Sequence, residues 1–272
     1  MRATSALLVA SVALISVFTL APFLWFVLTS WKSASQIEAI PPEIIPEFHW
    51  GFYRSALEQH DLGRYLTNSI VIASATTTIS ITIAAAAAYA ITRFPSRWSR
   101  WYLMLLLMIS MFPQVAIAGP VWRILHYLNW LNTYHGIVAA YISLSLPFAI
   151  WVLATFFKEM PYEVEEAALI DGCSRLQALW KVVLPIAAPG LFTGAILVFI
   201  QVWNEFFFAL IILTNPARQT LPVGIALFPG EYTMPWGEIA AASTMATLPL
   251  VLLTLIFQRR IIRGLSAGAV KG

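Results

Sequence analysis

The sequence contains little charge. Only 11% of its 272 residues are Asp, Glu, Lys or Arg, whereas 60% are hydrophobic and the mean hydropathy is +0.78. A soluble globular domain carries about 25% charged residues, so this composition excludes an ordinary soluble domain. The formal net charge of +3 is modest. We therefore expect a protein that lies in membrane lipid and does not bind nucleic acid.

Other residues and motifs that are rare or missing limit the chemistry that this chain can carry out. The single cysteine, Cys173, excludes an internal disulfide framework. No G-x-x-x-x-G-K-[ST] phosphate-binding loop occurs in the sequence, so we expect no bound ATP, no cofactor and no enzymatic activity in this chain by itself. The four histidines show no metal-ligand spacing, and we expect no metal site.

Long apolar stretches dominate what is present. A helix needs about 20 apolar residues to cross a bilayer. The first stretch is too long for the core of a signal peptide and is not closed by a small-residue cleavage site, so we interpret it as a retained span. Pro113 and Pro147 predict kinks in two of the spans. The sequence therefore predicts an all-α, polytopic protein with one transmembrane domain over 1–272 and six spans at about 6–31, 66–92, 101–122, 135–157, 188–214 and 239–258.

The basic residues predict the orientation of the spans. Eleven Lys and Arg residues fall before the first span, in the second and fourth gaps, and after the last span, against five in the other three gaps. Because cytoplasmic segments carry the excess of Lys and Arg, both termini and the loop over 158–187 are predicted to be cytoplasmic.

That cytoplasmic loop has a pattern of its own. Acidic residues follow Pro161, as is favourable at a helix N-terminus. Gly172 then permits a turn that a side chain would obstruct. Apolar residues after it recur at helical spacing and form one face; they are Leu176, Leu179, Trp180, Val183 and Leu184. Two short helices of this kind can fit a groove on a partner, although a solvated loop folded against its own spans is the plainer alternative.

The spacing within this loop resembles the EAA motif of bacterial ABC importer permeases. Glu166–Ala168 supply E-A-A, Gly172 follows after three residues, and Val182, Leu184 and Pro185 complete the pattern. The resemblance implies a coupling helix that docks onto a separate ATP-hydrolysing subunit. The residues implied for this coupling are Glu165, Glu166, Ala167, Ala168, Asp171, Gly172, Leu184 and Pro185.

The resemblance extends over nearly the whole chain. Asn68–Phe94, Val202–Leu210 and Phe257–Gly272 look like the second, shorter permease subunit of maltose- and trehalose-type carbohydrate importers (the MalG-like and SugB-like type). This implies the type I ABC importer permease fold in a bacterial plasma (inner) membrane. It also implies a di- or oligosaccharide substrate, a second permease subunit, two ATPase subunits that bind ATP and Mg, and a periplasmic or lipid-anchored sugar-binding protein.

Polar residues inside the fifth span indicate a substrate pathway. An intramembrane acid should face the bundle interior, and amides, carboxylates and aromatic rings are groups that bind sugars. Contacts between helices are the alternative role. The candidates are Gln201, Trp203, Asn204 and Glu205, with Gln114 and Tyr141 as weaker ones.

The last outside loop, over 215–238, is rich in Pro, Gly and aromatic residues. In maltose-type permeases the corresponding loop reaches into the docked binding protein. A structural cap over the bundle is the alternative. The residues implied for binding-protein contact are Phe228, Pro229, Gly230, Glu231, Tyr232 and Met234.

Two other functions compete with a sugar importer. An ABC importer for another solute, such as glycerol phosphate, would require more intramembrane basic residues if its substrate were an anion. A proton-coupled secondary transporter could use Glu205 as its carrier, but this leaves the cytoplasmic loop unexplained and gives the acid no paired base.

Overall fold

The computed structural model describes residues 2–94, 96–228 and 234–267. Within these ranges the regular structure is helical and no β-strand occurs, which confirms the all-α prediction. A π-helical turn over Leu179–Val183 and a 3₁₀ turn over Pro216–Arg218 complete the elements. The helices are α1 (Arg2–Ser30), α2 (Ala34–Glu38), α3 (Gly51–Glu58), α4 (Leu62–Arg93), α5 (Ser99–Ser110), α6 (Gln114–Tyr127), α7 (Tyr134–Glu159), α8 (Tyr162–Ile170), α9 (Arg175–Ala178), α10 (Leu184–Ile186), α11 (Ala188–Trp203), α12 (Phe207–Ile212), α13 (Leu221–Ala226) and α14 (Trp236–Ala267).

Four helical segments in the described ranges are long and apolar enough to cross a bilayer. They lie in α1, α4, α7 and α14, and their mean hydropathy is between 1.8 and 2.2. Two further pairs of helices meet the same test only if each bent pair counts as one span, which brings the total to six. Length and composition therefore agree with a polytopic membrane protein.

The predicted third span, over about 101–122, is more strongly interrupted than a kink. Helix α5 ends at Ser110, α6 begins at Gln114, and the two are bent by 90°. Pro113 explains the break, because proline donates no backbone hydrogen bond and disfavours helical geometry at the residue before it. Pro147, where a kink was also predicted, lies inside α7, which continues through it.

The predicted fifth span, over 188–214, is also not one helix. Helix α11 ends at Trp203 and α12 begins at Phe207, with Asn204, Glu205 and Phe206 between them. At its other end, α11 is bent by 76° from the segment Arg175–Ile186.

The chain divides into two compact units. The first comprises Met1–Leu66 and Leu221–Leu250. Its helices pack closely, and a Cβ added to Gly224 would overlap the ring of Tyr65. The second comprises Thr67–Thr220 and Val251–Gly272 and contains the predicted coupling loop.

Small residues bring helices of the second unit together. Gly190 on α11 lies against the ring of Phe156 on α7, and a Cβ there would be 2.5 Å from the Cγ atom of that ring. One turn later, a Cβ on Gly194 would be 3.2 Å from Leu153. Close approach through small residues is the usual way that helices pack in lipid.

Candidate coupling loop and membrane pathway

Helix α8 forms where the sequence favours a helix start. Pro161 precedes its first residue, and Glu163 and Glu165 lie in the first turn, where carboxylates interact favourably with the helix dipole. The helix ends at Ile170 with Asp171 as its C-cap, and Gly172, the next residue, has a φ of +88°. Because this left-handed conformation strains any residue with a Cβ, glycine is the residue that the turn requires.

The second half of the loop begins with a capping box. The Ser174 hydroxyl accepts a hydrogen bond from Gln177 N at 3.3 Å, and Gln177 Oε1 accepts one from Ser174 N at 2.9 Å. This reciprocal pair fixes the start of α9. The two short helices that the sequence predicts around Gly172 are therefore present.

Glu165 lies on the inner face of α8 and does not face solvent. Tyr89 Oη donates a hydrogen bond to Glu165 Oε1 at 2.5 Å, and Arg93 Nε lies 3.3 Å from Glu165 Oε2. The side chains of Arg93 and Glu165 are 2% and 7% exposed. This buried ion pair attaches the loop to the C-terminal end of α4.

Arg93 makes two further contacts in the same place. One of its terminal nitrogens donates to Met160 O at 3.2 Å, and its guanidinium lies 4.4 Å from the centroid of the Tyr162 ring. Tyr162 in turn donates to Thr92 O at 3.0 Å. Tyr89, Arg93 and Tyr162 were not predicted as site residues from the sequence. The available signal was Arg93 itself, a basic residue at the end of a long apolar helix.

Other apolar side chains of the loop are exposed and make no contact with α4 that the structure shows: Ile170 is 85% exposed and Leu176 66%, and we call these two residues the outer face of the loop. Trp180 is 59% exposed but borders a cavity that Ala85 and Ala86 of α4 also line. Leu179 and Val183, which the sequence placed in the same stripe as Leu176 and Trp180, are buried instead. Of the residues implied for coupling, Glu165 and Ala168 are buried and Leu184 is half-buried; the exposed ones are Glu166, Ala167, Asp171, Gly172 and Pro185.

Among the pathway candidates, the structure brings Tyr141 and Glu205 together. Tyr141 Oη donates to Glu205 Oε2 at 2.6 Å. The same carboxylate accepts hydrogen bonds from Phe208 N at 2.9 Å and Ala209 N at 3.2 Å. Glu205 therefore caps the start of α12 and ties it to α7, which matches the helix-contact alternative.

The other pathway candidates are dispersed. Gln201 and Gln114 are exposed, while Trp203 is buried and stacks on Phe199 with centroids 5.6 Å apart. Asn204 is exposed and donates to Ile200 O at 2.8 Å. Among the pathway candidates, exposed amides therefore occur at Gln114, Gln201 and Asn204.

The loop predicted to contact a binding protein is described only at its ends. Phe228 is buried and stacks on His60 with centroids 4.3 Å apart, and Met234 is 56% exposed. Pro229, Gly230, Glu231 and Tyr232 lie outside the described residues.

Comparison with known proteins assigns the family. Residues 79–267 match the family described as the inner membrane component of binding-protein-dependent transport systems. The chain belongs to this family of transport permeases. The matched region contains the whole predicted coupling loop and α11, so the geometry above belongs to a multi-pass, inner-membrane component of a transport system.

Similar proteins cover nearly the full chain. The trehalose/maltose transport system permease protein MalG of Thermococcus litoralis is 38% identical over 98% of this chain and 96% of its own length. The trehalose transport system permease protein SugB of Mycobacterium tuberculosis is 39% identical over 94% of this chain and 93% of its own length. The sulfoquinovosyl glycerol transport system permease protein SmoH of Agrobacterium fabrum is 39% identical over 92% of this chain and 88% of its own length. The resemblance predicted from the sequence motifs is thereby confirmed.

A solved structure shares the fold. The crystal structure of a bacterial ABC transporter that imports the acidic polysaccharide alginate contains a chain with a TM-score of 0.81 and 22% sequence identity. The match covers 95% of this permease and 96% of that chain. The permease therefore has the fold of an ABC importer membrane subunit.

Proposed function

We propose that this permease forms half of the membrane pathway of an ATP-driven importer for a di- or oligosaccharide of the maltose or trehalose type. The observation that carries the proposal is that the loop is held to α4 on one side and is apolar and exposed elsewhere. Its inner face is bound to α4 through Arg93 and Glu165, and its outer face consists of the exposed apolar side chains of Ile170 and Leu176. Such a patch fits a groove on a partner ATPase.

The loop and α4 move together in this proposal. A loop with equal contacts in both states of the ATPase could transmit nothing, so the outer face must bind differently when ATP closes the ATPase pair. Because α8 is held to α4 by an ion pair and two hydrogen bonds from Tyr89 and Tyr162, a displacement of α8 is passed to a membrane-crossing helix. The coupling residues are therefore proposed to be Glu166, Ala167, Asp171, Gly172 and Pro185 on the partner side and Glu165 on the α4 side.

Two features support a sugar as the solute. Relatives that match over nine-tenths of this chain are named for trehalose, maltose and a sulfoquinovosyl glycerol. Gln201, Asn204 and Gln114 present exposed amides, which can bind sugar hydroxyls, while the apolar spans carry almost no basic residue for an anion. A second permease subunit is proposed to supply the rest of the site.

The remaining partners follow from the family and the predicted topology. With both termini in the cytoplasm, the coupling loop faces two ATPase subunits, which bind ATP and Mg. The loop containing Phe228 and Met234 then lies on the opposite side, where a solute-binding protein is proposed to dock.

The test is purification of the tagged native chain in mild detergent, with mass spectrometry of the co-eluting proteins. We expect a second permease, an ATPase with a phosphate-binding loop and a sugar-binding protein. The reconstituted complex should then import trehalose or maltose only with ATP inside the vesicles. As a control, a phosphate-loop lysine variant of the ATPase subunit should retain all partners and import nothing. A chain that elutes alone and transports after ATP depletion contradicts the proposal.

A further inference from the structure

Lys32, two residues after the end of α1, is a buried cation. Its side chain is 3% exposed, and its Nζ atom lies 4.3 Å from the centroid of the Trp25 ring. The ion pairs of the described residues join other groups, and none of them includes Lys32. A cation removed from water needs a compensating anion, since the desolvation of an unpaired charge amounts to several kcal/mol. The Trp25 ring supplies only part of this compensation.

A cavity of about 320 Å³ adjoins this lysine. Thr29 also lines it, and the Thr29 hydroxyl is buried without a hydrogen-bond partner in the described chain. Both polar groups lie in the first compact unit, on the last turn of α1 and the residues that follow it. The apolar part of the wall comes from Trp25, Phe26, Ile37, Trp236 and Ala240.

The nearby polar groups of the described chain are already occupied. Gln36 Nε2 donates to Glu43 Oε2 at 2.6 Å and to Ile45 O at 3.2 Å. Gln36 Oε1 accepts from Glu47 N at 3.1 Å and lies 3.4 Å from Ser33 N. The Gln36 amide is therefore fixed, and Glu43 is engaged by it. The cavity is left with one cation and one hydroxyl, which together fit an anionic oxygen group.

The surroundings indicate that the anion has an apolar body. Trp25 and Phe26 are 46% and 42% exposed, and they continue into the exposed apolar face of α1, where Leu24 and Leu20 are 53% and 52% exposed. The segment Leu8–Ser30 is apolar enough to cross a bilayer, and no residue in its most apolar window is buried. An amphiphile could therefore place its head at Lys32 and its chains along α1.

We propose that this cavity binds the phosphate of an anionic phospholipid, with Lys32 as the cationic contact and Thr29 as a hydrogen-bond donor. None of the residues that line this cavity belongs to the predicted coupling loop or to the proposed solute pathway. Its test therefore does not depend on which solute the permease carries.

The experiment uses the assembled transporter, delipidated in detergent and then examined by native mass spectrometry with added phosphatidylglycerol. Phosphatidylcholine, which carries a phosphate but no net charge, is the matched lipid, and millimolar inorganic phosphate is the soluble competitor. Three variants are compared with the native complex: Lys32→Gln, Lys32→Arg and the control Arg64→Gln, which removes a cation that is exposed.

We expect retained phosphatidylglycerol in the native complex and in the Arg64→Gln and Lys32→Arg variants, with about tenfold weaker retention in Lys32→Gln. Phosphatidylcholine should be retained more weakly, and inorganic phosphate should not displace the lipid. Equal retention by Lys32→Gln and the native complex overturns the proposal. Displacement by inorganic phosphate identifies a soluble anion instead, and a carbodiimide cross-link from Lys32 to a partner carboxylate identifies a subunit contact; either result overturns the lipid assignment.

Discussion

Arg93 and Glu165 form a buried ion pair in which Arg93 Nε lies 3.3 Å from Glu165 Oε2. Arg93 is the last residue of α4, and Glu165 lies in the first turn of α8. The pair therefore joins a helix long and apolar enough to cross a membrane to the predicted coupling loop. In the proposed function, coupling depends on that junction, because a movement of the outer face can reach α4 only through the contacts of the inner face.

Removing one charge of this pair should destabilise the permease strongly. In the Arg93→Gln variant the Glu165 carboxylate stays buried without its cation, which typically lowers the free energy of unfolding by about 3–5 kcal/mol. Thermal unfolding in detergent measures this loss. Arg97→Gln is the matched control, because Arg97 is exposed and its loss should change the free energy of unfolding by less than about 0.5 kcal/mol.

The double variant Arg93→Gln/Glu165→Gln separates the ion pair from simple packing. It leaves no buried charge, so we expect it to recover part of the stability lost in Arg93→Gln. Additive losses would show that the two side chains do not interact in the folded protein.

Any side chain at position 172 should destabilise the turn, although the space around Gly172 is open. No atom lies within 4 Å of the position that a Cβ would take, so Gly172→Ala creates no clash, but the φ of +88° remains unfavourable. The expected cost is about 1–2 kcal/mol, concentrated in the turn. Gly172→Asn should be milder, because asparagine adopts positive φ more readily.

Retention of the ATPase subunit during purification is the measurement for this turn. We expect retention of the ATPase subunit to decrease from the native complex to Gly172→Asn and further to Gly172→Ala, and uptake should decrease in the same order. Gly172→Glu, which adds a bulky acid, should abolish both while the permease remains folded. Unchanged uptake in Gly172→Glu would remove the loop from the coupling mechanism.

Replacing Glu205 should leave uptake dependent on ATP. The Glu205→Gln side chain keeps one oxygen for the backbone N–H groups of Phe208 or Ala209 but cannot accept from Tyr141 through its amino group. We expect reduced thermal stability, by about 1–3 kcal/mol for the impaired buried hydrogen bonds, and uptake that still requires ATP. Tyr141→Phe should reduce stability in the same direction.

A protonophore added to the same vesicles completes this test. Uptake by the native complex and by Glu205→Gln should both continue when the proton gradient is collapsed. Uptake that stops in the native complex under these conditions would support the proton-coupled carrier with Glu205 at its centre.

The contact between α7 and α11 should not tolerate a larger residue at Gly190. A Cβ there would overlap the ring of Phe156, so Gly190→Val forces the helices apart and should lower the free energy of unfolding by about 1–3 kcal/mol. Gly119→Val on α6 is the control, because nothing lies within 4 Å of its added Cβ. Equal loss in the two variants would mean that helix propensity alone accounts for the effect.

The two short helices around Gly172 could be predicted from the sequence because their signals are local. The acidic residues after Pro161 act through the helix dipole, and Gly172 acts through its positive φ. The capping box at Ser174 is equally local but was not predicted. The apolar stretches gave the helical, membrane-spanning fold for the same reason. The families implied by the spaced motif and by the wider resemblance were confirmed by the relatives.

The features that the sequence did not predict depend on distant residues. Nothing near Glu165 indicates that Arg93 and Tyr89 will bury it, and nothing near Glu205 indicates its hydrogen bond from Tyr141. Pro113 predicted a kink between α5 and α6, but neither the proline nor the hydropathy pattern gives the size of the bend, which is 90°.

Photo-cross-linking from Ile170 shows whether the loop docks on an ATPase. A benzophenone amino acid replaces Ile170, which is 85% exposed on the outer face of the predicted coupling loop, in the assembled transporter. We expect an adduct with the ATPase subunit whose yield changes when ATP is added. The same label at Trp101, 61% exposed on α5, is the control and should give no such nucleotide-dependent adduct. An Ile170 label that reacts only with lipid or with this chain itself contradicts the docking of the loop.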